Sequence, residues 1–345
     1  MLGRSGVFVS RLSFGGAAIG NLYTEVDPAH AARTVDAAWD AGIRYFDTAP
    51  HYGLGLSERR LGAALRTRPR HEYVLSTKVG RILEPTVTRG DDRDNGFAVP
   101  ADHRRVWDFS AQGVRRSIHE SLRRLEHDRI DIVYLHDPDD HAEKAFGEAY
   151  PELERLRSEG VVSAIGVGMN QSRMLSRFIR DTDVDVVLCA GRYTLLDQEA
   201  LDTLLPEAHA RGRSVVVGGV FNSGLLADPR PGATYDYAAA PPEILDRALR
   251  LKAVADRHAV PLRALALRFP LGHPAVASVL IGARSAHEVN DATAMLAHPV
   301  PEDVWTDLRA EGLLPESVPV PGSVSLPQTD APCAQHSPGR ARPSH

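Results

Sequence analysis

Cysteine is nearly absent from this chain of 345 residues: there are two, Cys189 in an apolar run and Cys333 near the C-terminus. Two thiols so placed supply neither a disulfide framework nor a cysteine-based metal site, and they fit a reducing compartment. Positive charge is not in excess either. Lysine and arginine number 40 against 45 aspartates and glutamates, and the formal net charge of -5 gives no basic footprint of the kind that binds nucleic acid. Long hydrophobic runs are also missing. No apolar stretch reaches the length needed to cross a bilayer, and Arg4 and Arg11 interrupt the N-terminus before a signal-type apolar core can form. These absences predict a cytoplasmic protein with neither a membrane nor a nucleic-acid partner, and they leave the oligomeric state open.

What is present is the composition of an ordinary globular protein, 43% hydrophobic and 25% charged. Short runs rich in Val, Ile and Leu alternate with longer amphipathic segments, the pattern of βα units around a parallel sheet. Eight candidate strands follow, near 12–14, 43–47, 74–78, 132–136, 164–167, 186–188, 214–218 and 278–281. Most read as continuous apolar runs, as strands covered on both faces should. Between them, helices are expected near 28–41, 57–66, 111–125, 151–159, 201–211 and 286–296. Asp27 before Pro28 is an N-cap signal, Ser57 a candidate N-cap, and Gly42 and Gly212 stand where left-handed C-caps belong. The expected fold is a (β/α)8 TIM barrel over residues 1–314 with a long insertion, Arg81 to Asp108, after the third strand, and a Pro/Ser-rich flexible tail over 315–345. On a barrel that insertion overhangs the mouth, either as a substrate-covering loop or as a surface excursion without fixed structure.

Four residues stand at or just past strand ends: Asp47, Tyr52, Lys78 and His136. In a parallel barrel those ends converge on one face, so a carboxylate, a phenol, an amine and an imidazole meet there. A free phenol with a pKa of about 10 is a poor proton carrier at neutral pH, and a neighbouring ammonium lowers that value. Lys78 can do this for Tyr52, Asp47 can hold Lys78 charged, and His136 can bond the same substrate oxygen. Such a set suits interconversion of carbonyl and alcohol. The hydride requires a cofactor, since no side chain supplies one.

The segment Phe46-Asp47-Thr48-Ala49-Pro50-His51-Tyr52-Gly53, followed by Ser57-Glu58-Arg59-Arg60-Leu61-Gly62, resembles the signature of the aldo-keto reductase superfamily, and Thr77-Lys78 and Leu135-His136 follow in that family's order. The resemblance implies Tyr52 as general acid/base, Lys78 as its tuner, Asp47 as the partner of Lys78, and His136 as the group that orients substrate oxygen. It also implies a nicotinamide cofactor with contacts from Gly16, Ala17 and Asp47. Two glycine-containing turns late in the chain suit its phosphates: Gly218-Gly219-Val220-Phe221-Asn222-Ser223-Gly224, and Ile281-Gly282-Ala283-Arg284-Ser285 leading into a helix. Within the first, Gly219, Phe221, Asn222 and Ser223 are the candidate contacts, and Gly218 stands where many relatives carry an aromatic residue. In the second, Gly282, Arg284 and Ser285 resemble the family's adenosine-end contacts. Glu288 stands where NADPH-preferring relatives carry a basic residue, which favours NAD with NADP still possible; the other reading is a glutamate facing solvent on a helix. Asn170 and Arg192 are the candidates at the nicotinamide end.

Around the tetrad, Gly15 to Tyr23, His51 to Ser57 and His136 to Asp140 are similar to the family's bacterial aldose 1-dehydrogenase branch, which includes L-fucose and D-threo-aldose dehydrogenases. The resemblance implies oxidation of an anomeric hydroxyl to a lactone, with Asn21, His51 and Asp137 joining Tyr52 and His136 as substrate contacts. Pyridoxal 4-dehydrogenase or a general aldehyde or ketone reductase is the alternative within the same class. A cofactor-binding regulatory subunit is the alternative outside it.

Overall fold

Ile132-Val133-Tyr134-Leu135-His136 is buried at every position, and it pairs in parallel with a neighbour on each side. The same holds around a closed ring in the computed structural model, which describes residues 1–87, 90–236 and 238–322. The eight barrel strands are β1 (Leu12–Gly15), β2 (Tyr45–Asp47), β3 (Val74–Val79), β4 (Ile132–His136), β5 (Ala164–Met169), β6 (Val186–Ala190), β7 (Ser214–Gly218) and β8 (Val276–Gly282). Each pairs with the next, and β8 closes onto β1 with Leu12 opposite Val279. All eight expected strands form. Their observed ends differ by a few residues, because strand length is set by pairing with neighbours rather than by where an apolar run stops.

Two apolar layers hold the ring. Outside it, strand residues such as Val133, Val167 and Val217 pack with helix residues such as Val114, Leu175 and Leu265. Inside the barrel, Tyr45, Tyr134, Val186 and Val216 form a smaller cluster with Leu2 and Val7, so the N-terminal segment closes the end opposite the strand ends that carry Asp47 and His136. Gly3 N–H is anchored on Ser214 Oγ at 2.8 Å.

Helix Pro28–Asp40 starts as expected, with Asp27 accepting from the N–H groups of Ala29 and His30. The next helix, Leu56–Leu65, corrects the expectation for Ser57. Gly55, at φ 79°, occupies the cap position, and Ser57 sits one step inside the helix, its hydroxyl donating to Gly16 O at 2.7 Å. Helices at Ser172–Asp181, Pro242–Arg257, Leu262–Arg268 and Glu302–Ala310 complete the outer layer, beyond those expected. No helix among the described residues is long and apolar enough to cross a membrane.

The described residues of the insertion after β3 form a β-ribbon. Arg81–Pro85 pairs antiparallel with His103–Trp107, bringing Arg81 opposite Trp107, and Asp91–Asp92 pairs with Phe97–Pro100. Backbone bonds from Tyr23 N to Gly96 O (2.7 Å) and from Ala98 N to Asn21 O (2.9 Å) pin the ribbon's tip to the loop after β1. At the other end of the chain, Val318 and Pro321 are buried and Arg309 donates to Val318 O at 2.9 Å, so the chain stays on the barrel beyond residue 315. The rest of the expected tail, 323–345 with Cys333, lies outside the described residues.

Candidate active site

Parallel pairing in register sets the residues at the barrel mouth. Asp47 ends β2 opposite Gly15 and Ser76, Lys78 lies on β3 opposite Tyr134, and His136 ends β4 opposite Gly168. Tyr52 comes from the turn after β2. Lys78 Nζ bonds Asp47 Oδ2 at 2.5 Å and Thr48 O at 3.0 Å, and Ser76 donates to Asp47 Oδ1 at 2.6 Å. The ammonium also lies 4.7 Å from the centre of the Tyr52 ring, and that ring meets His136 edge-on at 5.8 Å. The four side chains expected to meet therefore do. Beneath them, Ser76 continues through Tyr45 OH to Tyr134 OH, a buried hydroxyl chain that the apolar reading of these strands did not reveal.

Lys78 is steadied from behind. Its neighbour Thr77 donates to the buried Glu58 at 2.8 Å, and Glu58 is in turn held by Arg124 Nε at 2.5 Å. Gly16 is needed for close approach here. Its N–H donates to Asp47 O at 2.7 Å, and a Cβ at this position would come within 2.5 Å of Ser57 Oγ. Ala17 opens the short turn Ala18–Gly20 beside it.

Protonation follows from burial and charge. Burial raises the Tyr52 phenol above its ordinary value; Lys78 opposes that and Asp47 adds to it, so the net shift is upward. Lys78 lowers the phenol as expected, but burial is the larger effect and the phenol ends above its ordinary value. Burial works against the Lys78 ammonium, but Asp47 and Tyr52 outweigh it and raise its pKa. His136 is driven well below the ordinary imidazole range by burial, then by Arg81, Lys78, His51 and Arg105, and is therefore neutral. A protonated phenol, a fixed ammonium and a neutral imidazole together can donate to a carbonyl oxygen, or accept from an alcohol once Tyr52 is deprotonated.

The ribbon brings residues that sequence patterns did not single out. Arg81 pairs with Asp137 and stacks 4.3 Å from the Trp107 ring. Arg105 reaches His51, and Phe97 packs edge-on against His51 at 5.2 Å. Arginines and aromatics clustered in an insertion beside a barrel mouth were the available signal. Beside the tetrad opens a cleft of about 350 Å³ lined by Arg81, Trp107, Asp137, Asn170, Gln171 and Arg192 among others. His136 adjoins it through Asp137, whose Oδ2 lies 3.6 Å from His136 Nε2. Asn21 leaves the group of candidate substrate contacts. Its amide donates to Ala98 O and accepts from Val26 N and Arg60, so it ties the ribbon to the barrel.

The two late turns lie side by side, because Gly218 of β7 pairs with Leu280 of β8. In the first, Gly219, Asn222 and Ser223 adopt left-handed backbone at φ 66°, 45° and 58°. Asn222 is buried and its Oδ1 has no hydrogen-bond partner among the described residues, while Phe221 packs partly into the core. In the second, Gly282 faces open space and Ser285 caps helix Ala286–Ala297 by accepting from Glu288 N–H at 3.2 Å. Arg284 extends to Thr24 Oγ1 at 3.2 Å. Open space, an unsatisfied buried amide oxygen, a capped helix N-terminus and an exposed guanidinium fit a dinucleotide. Glu288 is half-exposed and folds back to accept from Arg284 N–H at 2.9 Å, so it has a capping role as well as a charge at this end. At the other end Arg192 and Asn170 both line the cleft, and Arg192 is paired with Asp236 at 2.9 Å.

Comparison with known proteins agrees with this geometry. Residues 11–311 match the Aldo/keto reductase family. The chain is 46% identical to D-threo-aldose 1-dehydrogenase of a Pseudomonas species, covering 90% of this chain and 96% of that protein. It is 40% identical to pyridoxal 4-dehydrogenase of Microbacterium luteolum, covering 91% and 97%. Among solved structures, the holo form of aldo-keto reductase AKR11C1 from Bacillus halodurans superposes with a TM-score of 0.70 at 29% identity, covering 92% of this chain and 96% of that one.

Proposed function

This chain belongs to the aldo/keto reductase family of oxidoreductases, and on that premise we propose that it oxidises the anomeric hydroxyl of an aldose to the lactone, with NAD as hydride acceptor. The observation that carries the reading is the lining of the cleft beside the tetrad. Paired charges and amides, Arg81 with Asp137, Arg192, Asn170 and Gln171, suit a neutral molecule with many hydroxyls, and the likeness to D-threo-aldose 1-dehydrogenase points the same way.

When bound, the nicotinamide accepts the hydride from the anomeric carbon. Tyr52 takes the proton from the anomeric oxygen as the C=O bond forms, and Lys78, held by Asp47 and Ser76, stabilises the phenolate needed beforehand. His136, uncharged, bonds the reacting oxygen and orients it, while Asp137 in the cleft and His51, whose ring packs against those of His136 and Tyr52, meet other hydroxyls. Arg284, Ser285, Gly282, Gly219, Phe221, Asn222 and Ser223 hold the adenosine and phosphates. Asn170 is favoured over the ion-paired Arg192 for the carboxamide, with Gly16, Ala17 and Asp47 alongside. Glu288 accepts ribose hydroxyls and repels a ribose phosphate, so NAD is preferred over NADP.

A second reading is oxidation of pyridoxal. The half-exposed Trp107, packed between Arg81 and the rings of Phe109 and His141, gives the cleft an aromatic wall that a pyridine ring can contact, and pyridoxal 4-dehydrogenase is a relative of similar coverage. The deciding experiment is steady-state oxidation of a panel of aldoses and of pyridoxal with NAD and with NADP. Saturable turnover of an aldose is expected; saturable turnover of pyridoxal and of no aldose overturns the first reading.

A further inference from the structure

Arg105, on the returning arm of the ribbon, makes four hydrogen bonds through its guanidinium to two residues. Its Nε donates to His51 Nδ1 at 2.5 Å and its Nη2 to the His51 carbonyl at 2.9 Å. Nη1 and Nη2 also bond the two carboxylate oxygens of Asp92 at 2.7 and 2.6 Å. Asp92 is itself buried, and Asn95 donates to it at 2.8 Å, so the fork has one orientation available. The His51 ring is walled by Phe97 at 5.2 Å, His136 at 5.7 Å and Tyr52 at 6.0 Å.

An arginine can only donate, so the nitrogen it faces must carry a lone pair. Neutral imidazole with an acceptor Nδ1 has its proton on Nε2, and no described residue is hydrogen-bonded to that Nε2. We infer that Arg105 is a positioning residue that locks His51 in the Nε2–H tautomer, making it a permanent, uncharged donor to an oxygen of the polyhydroxylated substrate. The insertion is then part of the binding site rather than a cover over it. The inference rests on the proposed aldose oxidation for the identity of the acceptor, and on geometry alone for the tautomer.

The charges facing His51 agree with a neutral ring. Arg105, itself paired with Asp92, approaches from the ribbon's returning arm, Arg81 from its first arm, Lys78 from β3, and the ring of His136 from the end of β4. Burial, then Arg81, Arg105 and Lys78, push the imidazole down to about 2, so it does not titrate in the working range. A lysine in place of Arg105 could not make the same fork.

The test reads the tautomer directly. Nitrogen NMR of 15N-histidine-labelled enzyme, with His51 assigned through the spectrum of His51→Gln, should show the Nε2–H form, unchanged between pH 5 and pH 8. In Arg105→Met the signal should become a mixture of tautomers. With an aldose the wild type turns over, Arg105→Met should raise KM by roughly tenfold or more with a smaller change in kcat. Adding it to His51→Gln should cost nothing further. A charged or Nδ1–H ring in the wild type overturns the inference, as do additive losses in the double variant. Should Arg105→Met leave Asp92 unpaired and fail to fold, Arg105→Met with Asp92→Asn removes the buried charge. An enzyme that oxidises no aldose sinks the proposed function, while the wild-type spectrum still decides the tautomer.

Discussion

Lys78 and Asp47 form an ion pair of 2.5 Å in which the two side chains are 2% and 1% exposed. Water therefore screens neither charge. Removing one partner leaves the other buried and uncompensated, which costs about 3–5 kcal/mol in comparable cases. Asp47→Asn should lose stability of that order in urea titration and also lose most turnover. A variant with near-native stability would show that Ser76 and Thr48 alone can satisfy Lys78. Because the native pKa of Lys78 is raised, the pair's contribution is complete below the unfolded lysine value and fades as pH climbs through the native one.

Tyr52→Phe removes the phenolic oxygen while leaving the ring between Lys78 and His136. Turnover should fall by roughly 10²–10⁴-fold with cofactor affinity little changed. Stopped-flow binding beside steady-state rates checks this, and retained turnover would remove Tyr52 from proton transfer.

The raised phenol sets a pH dependence. Oxidation needs the deprotonated form, and burial places that ionisation above the ordinary tyrosine range, so kcat for oxidation should climb through alkaline pH while carbonyl reduction, which uses the protonated form, should not. A pH profile in both directions tests the sign. Parallel profiles would contradict it.

At the adenosine end, Glu288→Arg reverses the charge beside Arg284 at the start of the last barrel helix. The ratio of kcat/KM values should move toward NADP by roughly tenfold or more, the scale of a charge-assisted bond to phosphate. An unchanged ratio would leave Glu288 with its capping role only.

Away from the mouth, Glu152 is held at about 2 by hydrogen bonds from Arg115 and Arg155. A carboxylate with a depressed native pKa adds stability above its unfolded value and loses it as pH falls toward the native one. Glu152→Gln should thus be less stable than wild type at neutral pH, with the gap closing between about pH 5 and pH 2. Thermal melts across that range are the measurement.

The barrel and the meeting of Asp47, Tyr52, Lys78 and His136 at its mouth were legible in the chain because their signals are local. An apolar run that ends in Asp47, Lys78 or His136 states both that a strand is there and which end carries the polar group, and parallel closure makes those ends meet. Asp27 declared its cap in the same way, through its own turn. Ser57 did not, since whether it caps or bonds Gly16 depends on a loop 41 residues away. The ribbon was hidden for the same reason. Its charged segment lacks the alternation that announces a strand, and its fold depends on pairing Arg81 with Trp107 and on Asn21 receiving its tip. Protonation was decided by packing as well: the pairing of Lys78 with Tyr52 is readable from residue types, but the net direction of the phenol's shift is set by how completely the barrel excludes water around it. Contacts between residues distant in the chain, and the dielectric they create, exist only once the chain has closed on itself.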